Sequence, residues 1–353
     1  MIVGIHTDPD IGFREDLERY ERILNHNGIQ CKRLNANMPA FWDDVAKLDL
    51  FIFHWAGTSR QHHMAPSILP VVEQAMGIPC YPNMQTWWLY DDKVREYYLL
   101  TQNSFPAIPS WIFWEKDEAM IWIEQAVFPM VFKLRRGASS LNVILVKDKN
   151  QASTLVKKMF GRGVVSERLR GSSNTRRRDL GFYGLWYRNI ADVYRILKRQ
   201  QISSYEEIHK NYVLFQKYLF GNNFDTRVTI IGDRAFFSRR FVRSMDFRAS
   251  GSGIDDWSQD EVDERCIKLA FKISRQLGFQ CMGYDILYDE HREPMISEVS
   301  YTCPDWTLWN CPGYWDESLN WHAGHLWPQY CILADALKRP DLKPIEMSRS
   351  SDH

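Results

Sequence analysis

Strand-length apolar runs alternate with helical patterns over the first 84 residues. The apolar runs cover residues 2–6, 29–34, 48–55 and 78–81, and helical patterns are found at 13–27 and 68–76. Strands that alternate with helices indicate a parallel sheet, because parallel neighbours need crossover connections that are usually helical. We therefore predict that residues 1–84 form one α/β domain with a small parallel sheet.

The pattern changes after this domain, where short turns separate the strands. An apolar strand ends at Lys133 and the next begins at Val143, and strands at 226–231 and 235–241 flank a Gly-Asp turn. Such pairs predict antiparallel hairpins. Helices are expected at 87–102 and 259–277. The predicted fold class is α/β (α+β), with the parallel domain first and antiparallel sheets after it.

Composition excludes several functional classes. The 353 residues carry 44 basic and 44 acidic side chains, and zero net charge removes the electrostatic basis for a general nucleic-acid binder. Charged residues interrupt every apolar stretch before it reaches the length of a membrane span, about 18 residues. The seven cysteines form no CxxC pair, so no disulfide framework or structural zinc site is indicated. We predict a cytoplasmic protein with no nucleic-acid partner and no membrane span.

One segment is strongly basic within this neutral chain. Residues 157–201 hold twelve Lys or Arg and three acids, including Arg176, Arg177 and Arg178 in a row. Two interpretations stay open: a solvated insertion with a helix at 181–199, or a site that receives an anionic acceptor.

Two carboxylates mark the last strand pair of the predicted antiparallel region. Asp285 and Glu298 fall opposite each other if 281–287 and 294–299 pair. Carboxylates held together repel unless a cation neutralises them, and Mg²⁺ takes few protein carboxylates and fills its other positions with phosphate and water. The alternative is a structural salt bridge to Arg240 or Arg248.

An ordered set of motifs from about residue 91 to 300 resembles the ATP-grasp superfamily, closest to its RimK-like and glutathione-synthetase-like ligases. The set consists of Lys93, Lys133, the small-residue loop 137–142, Gln216 to Leu219, Asp225-x-Arg227, Arg240, Asp285 and Glu298. The resemblance implies a two-lobed ATP-grasp fold after the N-terminal α/β domain. Its implied domains are 85–212 for the small lobe with the basic insertion, 213–340 for the C-terminal lobe, and 341–353 for a polar tail.

The resemblance also assigns residues to the nucleotide. Lys93 and Lys133 would hold its phosphates, and a Lys that ends an apolar strand needs such a partner. The phosphates would lie under a loop that contains Ser139 and Ser140. The hinge that meets adenine would be Gln216, Lys217, Tyr218 and Leu219, and Asn223 or Asp225 would contact the ribose.

Three arginines and three oxygen ligands complete the implied site. Arg227, Arg240 and Arg248 would face the transferred phosphate and the substrate carboxylate, for which guanidinium offers a bidentate fork. Asp285, Glu298 and Ser300 would hold two Mg²⁺ ions. Ser300 stands where the family has Asn, and a hydroxyl is a weaker ligand than an amide carbonyl.

Five of the 14 tryptophans lie between residues 306 and 327, directly after the proposed metal strand. They either cover the core or form an aromatic wall for a sugar, since Trp is usually buried but also packs well against apolar faces. In the second interpretation Tyr301, Asp305 and Trp306 contact the substrate.

The implied activity is that of an ATP-dependent carboxylate–amine ligase, which forms an amide through an acyl phosphate. The expected small-molecule partners are a sugar acid, such as a polysaccharide uronate, and an amino acid or small amine. Two alternatives stay open: RimK-like ligation of an amino acid to a peptide or protein carboxylate, and a catalytically silent nucleotide- or glycan-binding relative.

Overall fold

The structure is a computed structural model that describes residues 1–7, 15–55, 58–137, 143–166, 207–242, 254–302 and 304–345. Among these residues no helix is both long and apolar enough to cross a membrane.

The N-terminal region forms the predicted parallel sheet. Its strands are β1 (Ile2–His6), β2 (Gln30–Leu34), β3 (Leu50–Ile52) and β4 (Cys80–Tyr81), in the order β2-β1-β3-β4. The connections contain α1 (Glu15–His26), α2 (Phe41–Val45) and α3 (Ser59–Pro70), and a π-helical turn, Val71–Ala75, extends α3. The predicted helix at 68–76 was too short, because Thr58 caps a helix start by accepting a hydrogen bond from the Gln61 backbone N–H.

The helix predicted at 87–102 is two helices, α4 (Met84–Trp87) and α5 (Lys93–Gln102). Asp91 between them has a left-handed backbone with φ 52°. Asp92 then caps α5 by accepting from the Arg95 backbone N–H. The helix therefore begins at Lys93, and the side chain of Lys93 extends from the first turn of α5.

A second, four-stranded antiparallel sheet follows. Its strands are β5 (Ser110–Phe113), β6 (Met130–Lys133), β7 (Val143–Val146) and β10 (Val213–Lys217), in the order β5-β10-β6-β7. The helices α6 (Lys116–Ile123) and α7 (Lys149–Met159) belong to this region. A separate pair consists of β8 (Val164–Ser166) and β9 (Glu207–His209). The predicted hairpin after Lys133 is confirmed by the pairing of β6 with β7.

The third sheet has seven strands and is antiparallel. They are β11 (Phe224–Ile231), β12 (Arg234–Phe241), β13 (Asp255–Asp256), β14 (Cys281–Tyr288), β15 (Pro294–Ser300), β16 (Gly313–Trp315) and β17 (Trp321–Ala323). The order is β15-β14-β11-β12-β16-β17, with β13 beside β12. The predicted hairpin about Gly232 is confirmed.

Three helices accompany the third sheet: α8 (Glu264–Leu277), α9 (Asp305–Asn310) and α10 (Pro328–Ala336). The helix predicted from residue 259 begins later, because Asp263 caps α8 while 259–261 form a 3₁₀ turn. Gly278, with φ 71°, ends α8 in the left-handed conformation that glycine adopts without strain.

The Trp-rich segment largely covers the core. Trp315 on β16 packs on Trp321, and Trp327 stacks on Trp309 with ring centroids 4.4 Å apart. Trp306 differs, since 42% of its surface is exposed.

Two of the hydrophobic cores join the N-terminal region to the third sheet. One contains Phe51 and Trp55 together with Phe271 and Tyr284. The other contains Ile23 of α1 together with residues of α10. A third core lies separately, between the second sheet and the helices α6 and α7. Much of the N-terminal region's apolar surface is therefore buried against residues that come over 180 positions later in the sequence.

Candidate functional site

A cleft lies between the second and third sheets. Four predicted residues line it: Lys93 at the start of α5, Lys133 at the end of β6, Gln216 on β10 and Glu298 on β15. These positions are far apart in sequence, and the fold brings them together in one cleft.

Lys93 is buried and stays charged. Its Nζ lies 2.8 Å from the Gly137 carbonyl oxygen and 3.2 Å from Glu298 Oε1. Burial acts to lower the pKa of Lys93, but the carboxylates of Glu298, Asp91 and Glu96 outweigh it and raise the pKa.

Lys133 is equally buried but differs in its partners. Its Nζ lies 3.4 Å from both the carbonyl oxygen and Oγ of Ser297, and no carboxylate of the described residues forms an ion pair with it. Burial lowers the pKa of Lys133, and Glu298 only partly opposes this. A buried ammonium group with neutral partners is an electrostatic site for an anion.

Glu96 is a site residue that the sequence analysis missed. It lies one turn after Lys93 in the cleft, and its Oε2 accepts from the Val299 backbone N–H at 3.1 Å. Its Oε1 is buried without a partner among the described residues. Burial and the nearby Glu298 raise the pKa of Glu96 well above its usual range. An acid three residues after Lys93 on the same helix face was the available signal.

Asp285 and Glu298 lie directly opposite each other on β14 and β15, which confirms the predicted register. Asp285 also forms the salt bridge that was the alternative interpretation: Arg240 Nη2 lies 2.7 Å from one oxygen, and Arg227 Nη1 lies 2.9 Å from the other. Burial opposes ionisation of Asp285, but the two guanidinium groups outweigh it and lower its pKa. The carboxylate is therefore negatively charged.

Arg227 lies across the surface of β14. Its Nη2 donates to the Thr302 carbonyl oxygen at 3.3 Å, and its Nε is buried without a partner among the described residues. A Cβ atom at Gly283 would lie 2.6 Å from Arg227 Nη2, so this path for the guanidinium requires glycine at position 283.

Asp225 faces Arg240 rather than open space. Both of its carboxylate oxygens accept from Arg240, each at 2.7 Å. The other ribose candidate, Asn223, is exposed just before β11. The assignment of the ribose contact stays a prediction.

Glu298 and Ser300 project to one face of β15, because alternate strand residues share a face. Asp285 shares this face through its register with Glu298. The Ser300 hydroxyl lies 3.1 Å from Thr302 Oγ1. Among the described residues no cluster of three His, Cys, Asp or Glu suited to a metal ion is found. Two carboxylates and a hydroxyl nevertheless fit Mg²⁺, which takes few protein ligands.

The predicted adenine hinge begins as the central strand of the second sheet. Gln216 pairs with Ser110 on one side and with Val131 on the other. The Lys217 ammonium group turns outward to Glu290 at 3.0 Å, which connects β10 to the turn between β14 and β15. Tyr218 and Leu219 follow the strand.

The residues before α5 hold the base of the predicted phosphate loop. Asp91 Oδ1 accepts from the Gly137 backbone N–H at 2.8 Å, and Asp92 accepts from Arg135 Nε at 2.8 Å and Nη2 at 2.5 Å. The rest of that loop, with Ser139 and Ser140, lies outside the described residues, as do Arg248 and residues 167–201 of the basic segment.

A second cavity lies beyond the carboxyl ends of β3 and β4. Two of the three predicted substrate residues, Tyr301 and Asp305, line it, and Trp306 does not. The lining also contains Arg19, which pairs with Asp305, and Gln329 of α10. Arg19 is buried among the apolar residues of α1, and the sequence alone does not indicate this.

Comparison with known proteins gives a family match for part of the chain. A family model for the RimK-like ATP-grasp domain matches residues 191–304. No curated protein matches the chain.

Several solved structures share the fold at low identity. D-cycloserine synthetase is 15% identical with a TM-score of 0.56, and the match covers 96% of this chain and 99% of that one. D-alanine–D-alanine ligase from Bacillus anthracis is 15% identical with a TM-score of 0.51 over 85% and 86% of the two chains. A RimK domain ATP-grasp protein from Sphaerobacter thermophilus DSM 20745 is 13% identical with a TM-score of 0.50 over 85% and 90%. The chain therefore has the fold of these ATP-grasp structures, and its residues 191–304 match the RimK-like ATP-grasp domain.

Proposed function

We propose that the protein is an ATP-dependent carboxylate–amine ligase that forms an amide through an acyl phosphate. The observation that carries this proposal is the convergence of two buried lysines, Lys93 and Lys133, on the edge where Asp285 and Glu298 face each other. The family match and the shared fold support the same class of enzyme.

The chemistry requires two transfers. A carboxylate oxygen of the first substrate attacks the γ-phosphorus of ATP, and ADP leaves. The amine of the second substrate then attacks the acyl carbon, inorganic phosphate leaves, and the amine loses a proton. Catalysis of this kind depends on positioning and on charge stabilisation rather than on a protein nucleophile.

Each group of residues has a defined task in this proposal. Lys93 and Lys133 hold the phosphates, and the backbone of 216–219 meets the adenine. Arg227 and Arg240 orient the reacting oxyanions. The buried Nε of Arg227 has no partner among the described residues, so its N–H can donate to an oxyanion. Asp285, Glu298 and Ser300 would hold Mg²⁺, which neutralises phosphate charge when it is bound.

The first substrate in this proposal is a sugar acid. The exposed Trp306 supports this, because it adjoins Asp305 of the second cavity and 42% of its surface is open to solvent, and indole rings pack well against apolar surface. Hydroxyl groups of a sugar would find polar neighbours in Asp305 and Thr302.

The test is a screen of sugar acids and amines for ADP formation with ATP and Mg²⁺. We expect ADP formation to require both substrates. It should fall by more than about 100-fold in Glu298→Ala, because mutation of residues that only support metal ligands already costs about 10–100-fold in typical metal sites. Glu293→Gln is the matched control, because this exposed acid lies just before β15 and outside the cleft. Unchanged turnover in Glu298→Ala would refute the metal assignment. Stabilisation by ATP without ADP formation from any pair would instead identify a silent binder.

A further inference from the structure

Asp91 has a left-handed backbone conformation immediately before α5. Its φ is 52°, and its side chain is only 5% exposed. This conformation is strained for a residue that has a Cβ atom, although Asn and Asp adopt it more readily than most. Such strain persists only where surrounding contacts impose it, and it is common at functional sites. The contacts of the Asp91 carboxylate are therefore the place to look for its role.

Asp91 and Lys93 together hold both polar backbone groups of Gly137, the first residue of the predicted phosphate loop. Asp91 Oδ1 accepts from the Gly137 N–H at 2.8 Å, and Lys93 Nζ donates to the Gly137 carbonyl oxygen at 2.8 Å. Lys93 Nζ also lies 4.0 Å from Asp91 Oδ1. Two charged side chains thus fix the backbone at the point where the loop begins.

His62 of α3 lies against the other oxygen of the Asp91 carboxylate. Its Nε2 is 3.4 Å from Asp91 Oδ2, and its side chain is also 5% exposed. The imidazole ring is stacked on Tyr90, with ring centroids 5.6 Å apart, and contacts Trp55 at 5.4 Å. The orientation of Asp91 is therefore set from the N-terminal region, by a histidine that aromatic packing holds in place.

The proposed catalytic steps give neither His62 nor Asp91 a task. Neither residue lines the cleft. A buried pair of this kind is also a poor source of stability, because the loss of hydration offsets much of the attraction between its members. A role in holding Gly137 and Lys93 accounts for both the burial and the strain.

We propose that Asp91 and His62 are positioning residues for the nucleotide. Asp91 fixes Gly137 and the Lys93 ammonium group at the phosphate end of the cleft, and His62 orients Asp91. The N-terminal domain thus contributes to nucleotide binding through α3, although none of the described residues of this helix lines the cleft. This inference rests on the proposed function for the identity of the phosphate ligands, but the hold on Gly137 can be measured without nucleotide.

Three substitutions separate the backbone conformation of Asp91 from its side chain. Asp91→Asn keeps the preference for the left-handed region and an oxygen that can accept from the Gly137 N–H. Asp91→Gly keeps the conformation but removes the acceptor, and Asp91→Ala loses both. Ser104→Gly is the matched control, because Ser104 also has a left-handed backbone, with φ 58°, and lies just after α5 outside the cleft.

The first measurement is the affinity of the full chain for ATP with Mg²⁺, by calorimetry at a temperature where every variant is folded. We expect Asp91→Gly and Asp91→Ala to bind about tenfold or more weakly, the value of one hydrogen bond to a charged group. Asp91→Asn should stay within about threefold of the unaltered protein, as a neutral acceptor retains part of that bond. Unchanged affinity in Asp91→Gly, or the same loss in Asp91→Asn or Ser104→Gly, would overturn the proposal.

The second measurement is the hydrogen exchange of the Gly137 amide without nucleotide. Asp91→Gly should accelerate this exchange about tenfold, because the N–H loses its acceptor. His62→Phe, which keeps an aromatic ring against Tyr90 and Trp55, should accelerate it about threefold or more. His63→Phe is the control, because His63 is the exposed neighbour on the same helix. Unchanged exchange in both Asp91→Gly and His62→Phe would contradict the assignment.

A parallel assay of ADP formation separates the two proposals. ATP affinities that follow the expected order, with no ADP formation from any substrate pair, would refute the ligase function and leave the positioning roles intact. ADP formation by Asp91→Gly with an unchanged KM for ATP would refute the positioning roles and leave the ligase function intact.

Discussion

Lys93 and Lys133 are both buried in the same cleft, but only the charge of Lys93 is neutralised by an ion pair with a carboxylate among the described residues. Lys93 pairs with Glu298, whereas Lys133 contacts a serine side chain and a backbone carbonyl. The free energy of an isolated buried charge is high unless it is paired. The two lysines should therefore respond in opposite ways to the same substitution.

We predict that Lys133→Met leaves the free energy of unfolding of the free protein unchanged or higher, and removes most of the stabilisation by ATP. Lys93→Met should instead destabilise the free protein by about 3 kcal/mol, because it leaves Glu298 without its cation. Thermal unfolding with and without MgATP checks both. A large loss of stability in Lys133→Met without nucleotide would contradict this account.

His209 makes the stability depend on pH. Burial lowers the pKa of His209 to about 4, and its Nδ1 is engaged with the Tyr212 hydroxyl at 2.8 Å. Between this value and the ordinary pKa near 6.5 the unfolded chain binds the proton and the folded chain does not, so stability falls as the pH drops through that window.

We predict that acidification from pH 7 to pH 4 removes about 2–3 kcal/mol of stability through His209. His209→Gln should be less stable at pH 7 but should lose less on acidification. Urea unfolding at several pH values measures the difference between the two proteins. Parallel stability curves for the two would exclude His209 as the cause.

At the scale of elements, strand pairing was predictable and helix starts were not. The register of Asp285 with Glu298 could be predicted because strands alternate with a period of two and the turn between them is short. The start of α5 could not be predicted from periodicity, because the apolar run continues through 87–90 and the left-handed backbone of Asp91 leaves no trace in that pattern. Cap residues decide such boundaries, and Asp92 and Asp263 were both available as signals.

The starts of α5 and α7 allow two capping aspartates to be compared. Asp148 caps α7 and is exposed, whereas Asp92 caps α5 and also binds Arg135 with both oxygens. We predict a loss of about 1 kcal/mol for Asp148→Ala, the usual value of a cap. Asp92→Ala should cost at least about 1 kcal/mol more, since the ion pair is lost as well. Thermal unfolding measures both, and equal losses would show that the Arg135 pair contributes nothing.

At the scale of the whole molecule, the ordered motifs supplied four of the residues that line the cleft, but the sequence did not indicate which segments form the second cavity. Lys93, Lys133 and Glu298 were identified because they belong to the ordered set of motifs that resembles the ATP-grasp superfamily. The second cavity combines α1, the ends of β3 and β4, and α10, and no sequence pattern indicates that these segments meet. These segments are joined by apolar packing, and the sequence does not show which apolar surfaces pack against each other.

The shared core predicts long-range coupling of stability. Phe271→Ala on α8 should cost about 3–5 kcal/mol, and it should also accelerate hydrogen exchange in β1, β3 and β4, because Phe271 shares a core with Phe51. Leu155→Ala on α7 is the control, since it belongs to the separate core of the second sheet. Equal exchange in β1 to β4 for both variants would contradict the coupling.

That shared core also has a consequence during synthesis. Trp55 and Phe51 leave the ribosome well before Phe271 and Tyr284, which complete their core. Residues 85–270 must be made first, which takes about 10 to 40 s at typical elongation rates. For that time the nascent N-terminal domain exposes an apolar surface that its own residues do not cover. The order of the chain, rather than its final stability, thus sets the interval in which the unfinished protein is most prone to aggregate.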